Sequence, residues 1–143
     1  GISAGIYLQA GGILGAITLG LLTTHFEVKR LTAGYLIVCV ISMLCFGMAD
    51  LSLLGLMVCA SIMGFFLIGA MIGLYTIAPS LYPASQRVTG MGWAIGVGRI
   101  GAILSPLIGG ALLSQGLDSS QSIGIFAFPL LIAALAVWRI RSE

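Results

Sequence analysis

Charge is what this sequence has least of. Ten of its 143 residues are charged, six basic and four acidic, and a single histidine completes the titratable set outside cysteine and tyrosine. A water-soluble domain carries roughly 25% charged residues, whereas 7% of this chain is charged and 59% is hydrophobic, with mean hydropathy +1.18. Too little polar side chain is present to cover a water-facing surface, so lipid is the expected solvent. The net charge of +2 and the lack of any basic stripe with interleaved aromatics exclude nucleic acid as a partner. Three cysteines (Cys39, Cys45 and Cys59) lie in apolar runs without CxxC spacing; beside one histidine they offer no zinc site and read as small buried apolar residues. No nucleophile with a base and no acid pair is visible, so an enzyme is not expected, and no cofactor or metal is implied. The chain opens at Gly1 without a basic leader, and it reads as a piece of a longer polypeptide.

What is present is apolar length. Five runs are long enough to cross a bilayer as helix: about 4–23, 31–48, 51–74, 88–113 and 122–137. Polar and turn-forming residues gather between them, in "THFEVKR", "AD", "APSLYPASQR" and "SQGLDSSQ". The fold class expected is an all-α membrane protein of five transmembrane helices. If the runs alternate, Lys29, Arg30, Arg87, Arg139 and Arg141 share one side, and Asp50 and Asp118 the other. The positive-inside rule makes the basic side, and with it the C-terminus, cytoplasmic.

The sixth basic residue, Arg99, breaks that pattern. It stands inside "GVGRIG" (residues 96–101), which matches the G-x-G-x-x-G of a dinucleotide-binding turn, with Asp118 near the place of a ribose-binding acid. The context excludes that reading. Small residues interrupt any preceding strand, and Pro106 and Gly109-Gly110 would fall inside the following helix. In a membrane helix Arg99 lies about 16 Å from one end of its run and about 21 Å from the other, near mid-bilayer. An arginine at that depth is costly and faces a bundle interior or an aqueous cavity. None of the five runs holds an interior Asp or Glu to pair with it. The two readings are an anionic ligand or an acid elsewhere in a longer chain. A guanidinium fork suits a carboxylate bound through two hydrogen bonds.

Small residues also crowd the runs. Gly11/Gly15, Gly69/Gly73 and Gly92/Gly96 are G-x-x-x-G pairs of the kind that let helix backbones approach in lipid. The fourth run adds Gly98, Gly101 and Pro106, and it is expected to bend near the proline and to pack tightly on at least one face.

"GGILGAITLGLLTTHFEVKRL" followed by "LYPASQRVTGMGWAIGVGRIGAILSPLIGGALL" resembles the C-terminal half of major facilitator superfamily transporters. The second stretch is most similar to the aromatic acid/proton symporters, which import benzoate-like acids into bacteria. The resemblance implies helices eight to twelve of a twelve-helix fold, with helix seven and the N-terminal half absent. It implies a small organic anion and a proton as cargo, and the bacterial cytoplasmic (inner) membrane as location. Gly20, Lys29 and Arg30 match the superfamily's loop motif G-x3-D-R-x-G-x-R-R. Thr24, His25 and Glu27 depart from it, so the charge-pair gate is not reproduced. Arg87 matches a loop arginine that braces the cytoplasmic face, and a topology-setting charge is the alternative. Substrate-binding candidates are Arg99, with Gln9, Tyr7 and Trp93 as further possibilities; Trp93 stands about 120° around the helix from Arg99. The acid that carries the proton is expected in the N-terminal half. Transport of another substrate (a drug, sugar or dicarboxylate) and a non-transporting membrane assembly module remain the alternatives.

Overall fold

A computed structural model describes residues 2–48 and 52–140. Asp50, Leu51 and Arg141, which entered the sequence reading, lie outside the described residues, as do Gly1 and Glu143. Five helices run in order: α1 (Ile2–Leu22), α2 (Val28–Met48), α3 (Leu53–Ile77), α4 (Arg87–Ser114) and α5 (Ser119–Arg139). A 3-10 turn, Ala78–Leu81, follows α3. Each helix is long and apolar enough to cross a membrane, as the composition requires: in hydrocarbon, a backbone must satisfy its own hydrogen bonds.

The helices overshoot the apolar runs at most of their ends, because backbone bonding continues into polar flanks. Local chemistry then stops them. Ser52 caps α3 by accepting from the Gly55 amide at 3.3 Å. The Thr23 and Thr24 hydroxyls donate to the carbonyls of Gly20 and Leu21, each at 2.7 Å, and so close the end of α1. Pro79, which has no N–H, turns the end of α3 into the 3-10 turn. Gly116 ends α4 with φ +80°. Its amide reaches the Leu113 carbonyl at 3.1 Å, and the Leu117 amide reaches the Leu112 carbonyl at 3.3 Å. That pair of bonds is a Schellman cap, and it needs the left-handed conformation that glycine adopts without strain.

Glycine decides the tightest contact. A Cβ on Gly11 would run into the carbonyl of Ser61, one on Gly15 into that of Phe65, and one on Gly64 into that of Leu8. Helices α1 and α3 therefore touch backbone to backbone from both sides. The α3 glycines one step along face α2 instead: Gly69 lies under the Tyr35 ring and Gly73 against the Thr32 side chain. Helix α2 packs on α5, where Gly47 meets Ile123. The spatial order is thus α1–α3–α2–α5.

Leu19, Ala33, Tyr35, Leu36, Ala70, Ile77, Ala134 and Val137 form one buried cluster. It joins the ends of α1, α3 and α5 to the start of α2. Lys29, Arg30 and Arg139 belong to the same end of the bundle, and Arg87 opens α4 just after the 3-10 turn that leaves it. The alternation of spans read from the charges is how the helices are threaded.

Helix α4 differs from the other four. Among the described residues it buries none; its main contacts are with α5, where Gly109 meets Phe126, and with the 3-10 segment and the Tyr82 that follows it, which meets Gly90. A Cβ at Gly92, Gly96, Gly98 or Gly101 would meet nothing within 4 Å. The tight face expected of α4 is therefore not made against the other described helices, whose small-residue faces are already taken up by one another. The helix runs unbroken through Pro106.

Candidate functional site

Arg99 sits at the middle of α4, with twelve residues of helix before it and fifteen after. It is solvent-exposed in the isolated chain and makes no hydrogen bond or ion pair among the described residues. Gly92, Pro106 and Gly110 share its side of the helix at spacings of seven, seven and eleven residues, close to whole turns. The guanidinium thus projects from a strip that includes small residues and is not crowded by its own helix.

The other substrate-binding candidates are not gathered around it. Trp93 is 73% exposed and lines a shallow cleft of about 310 Å³ with Gly92, Gly96, Val97 and Ile100. Tyr7 lines a separate cleft of about 230 Å³ between α1 and α3, with Leu54, Met57, Val58, Ser61 and Ile62. Gln9 is exposed on α1 and lines neither. The structure therefore places one of these clefts on α4 and the other between α1 and α3, and Arg99 lines neither.

At the basic end, Glu27 and Arg30 pair at 3.2 Å across one helical turn. Both are largely exposed, so the pair contributes little to stability. It nevertheless explains a departure from the loop motif: the acid at the glycine position holds the motif's last arginine. The spacing of three residues was the signal available in the sequence. Lys29 lies in a cleft of about 240 Å³ with Glu27, Val28, Thr76, Ile77 and Ser80, between the start of α2 and the end of α3. Gly20 and Arg87 are exposed, and nothing approaches a Cβ built on Gly20. No group of three or more metal-ligating side chains occurs among the described residues.

The sequence of this chain has matches among known proteins. The family model of the Major Facilitator Superfamily matches residues 1–143. The chain belongs to the Major Facilitator Superfamily. Among curated members of similar sequence is a gallate transporter of Pseudomonas putida, 37% identical over 90% of this chain and 29% of that protein. A benzoate transport protein of Acinetobacter baylyi is 36% identical over 95% of this chain and 29% of its own length. A 3-(3-hydroxy-phenyl)propionate transporter of Escherichia coli is 33% identical over 95% of this chain and 34% of that protein. The chain thus spans about a third or less of the relatives it matches, and those relatives are transporters rather than enzymes. No solved structure matches it.

Proposed function

We propose that this superfamily member forms the C-terminal part of a proton-coupled importer of aromatic carboxylic acids in the bacterial inner membrane, with its basic end cytoplasmic. The observation that carries the reading is Arg99: a fixed cation at mid-helix, unpaired among the described residues, on the exposed side of α4. A substrate carboxylate accepts two parallel N–H bonds from a guanidinium fork. In a low-dielectric site that pairing also relieves the cost of holding the arginine there. The relatives' names support the substrate class, since gallate, benzoate and hydroxyphenylpropionate each join an aromatic ring to a carboxylate.

Superfamily transport works by rocking two halves about a mid-membrane site. Helices α1 and α3, locked backbone to backbone, would move as one body in such a motion, whereas α4 is free to meet the other half. The described spans hold no interior Asp or Glu, so the proton-carrying acid belongs to the N-terminal half. Uptake of labelled benzoate and hydroxybenzoates by the full-length protein, with and without a proton gradient, tests the proposal. Gradient-dependent uptake that competes with other aromatic acids supports it, and preferential uptake of a sugar or an uncharged drug overturns it.

A further inference from the structure

The last two turns of α5 carry a feature that substrate transport does not use. Ile132, Leu135, Ala136, Trp138 and Arg139 line a groove of about 700 Å³. These positions are spaced i, i+3, i+4, i+6 and i+7, so they form one stripe along the helix. The stripe faces away from the core: the residues buried along this stretch of α5 are Ala134 and Val137, on the other side of the helix. Ile132, Leu135 and Trp138 are all exposed, and Arg139 makes no hydrogen bond or ion pair among the described residues.

We infer that this groove binds an anionic phospholipid, with an acyl chain along Ile132, Leu135 and Ala136 and the headgroup phosphate on Arg139. The dimensions fit. Arg139 stands about 10 Å along the helix from Ile132. The hydrocarbon half-thickness of a bilayer is about 15 Å, so an arginine at headgroup level leaves Ile132 well inside the acyl region. The chemistry fits as well. Trp138 adjoins Arg139 at the helix end, where an indole is favoured at the interface, apolar on its face and able to donate one N–H to lipid carbonyls. A guanidinium takes a phosphate through two parallel N–H bonds, which a choline-capped zwitterion answers less well. The inference commits to a lipid rather than a free phosphate ion, because three of the five lining residues, Ile132, Leu135 and Ala136, offer a phosphate ion nothing to bind. It is independent of the role given to Arg99.

The test uses the full-length protein in bilayer nanodiscs with spin-labelled phosphatidylglycerol and phosphatidylcholine. We expect phosphatidylglycerol to be preferred about fivefold, the size of one cation's attraction for an anionic lipid. Arg139→Gln should bring that preference close to unity, and Arg139→Lys should keep most of it. A photoactivatable phosphatidylglycerol should label the 132–139 segment of the unmodified protein, a readout that does not depend on any variant folding. Equal binding of the two lipids, an unchanged preference in Arg139→Gln, labelling concentrated elsewhere, or displacement by excess inorganic phosphate would each overturn the inference.

Discussion

Gly15 of α1 lies so close to the carbonyl of Phe65 in α3 that a single added carbon at Gly15 has nowhere to go. Four residues earlier Gly11 stands in the same relation to Ser61, and Gly64 returns it against Leu8. Lipid supplies no hydrophobic force between helices, so close van der Waals contact of this kind holds α1 to α3.

Replacing Gly15 with alanine should therefore separate the pair or shift it, at a cost of about 1–3 kcal/mol typical of overpacking. Gly34 of α2 has nothing within 4 Å of a Cβ, and Gly34→Ala should be neutral or slightly stabilising through helix propensity. Thermal unfolding of the two variants of the full-length protein in detergent compares them directly. Equal midpoints would show that the α1–α3 contact is looser than described.

The close of α4 gives a second prediction. Gly116 holds φ +80° within the Schellman cap, and an L-residue pays about 1–2 kcal/mol for that conformation. Gly116→Ala should lower the unfolding midpoint, while Gly116→Asn should lower it less, since asparagine tolerates the left-handed region. Equal effects of the two substitutions would point to a cause other than backbone conformation.

Tyr35 provides the third. Its ring stacks on Phe65 at 5.9 Å and meets Phe66 edge-on at 5.1 Å. Its hydroxyl is buried and has no partner among the described residues. An unmade buried hydrogen bond costs about 1–3 kcal/mol, so Tyr35→Phe should leave stability unchanged or raise it. A drop of more than about 1 kcal/mol would mean that the hydroxyl is bonded in the assembled transporter.

How much of this was legible in the sequence differs by element. Five apolar runs separated by polar turns specify five helices, because bilayer thickness and backbone bonding leave little choice. Gly11, Gly15, Gly69 and Gly73 pointed to close helix contacts, and the structure makes those contacts. Which helix meets which was not legible: α1 pairs with α3 and α2 with α5, and the spelling G-x-x-x-G carries no address. Gly92 and Gly96 are spelled the same way as Gly11 and Gly15, yet they meet nothing among the described residues. Arg99 stood out because a charge in an apolar run is rare. Tyr7 and Gln9, on the first span, were legible only as possible partners for an aromatic ring, and Tyr7 lies in a cleft of its own between α1 and α3. The Trp138–Arg139 groove left only a faint trace, an aromatic beside a cation at a helix end.

The central claim is that Arg99 holds the substrate carboxylate, and the most direct measurement compares its variants in proton-driven uptake by the full-length transporter. Arg99→Gln should cut benzoate-type uptake by at least about 100-fold while the protein still inserts and folds, as expected for loss of a buried charge-assisted pair worth about 3 kcal/mol or more. Arg99→Lys should recover only part of it, since an ammonium lacks the two-pronged geometry. Uptake by a correctly inserted Arg99→Gln protein at the rate of the unmodified transporter would contradict the account.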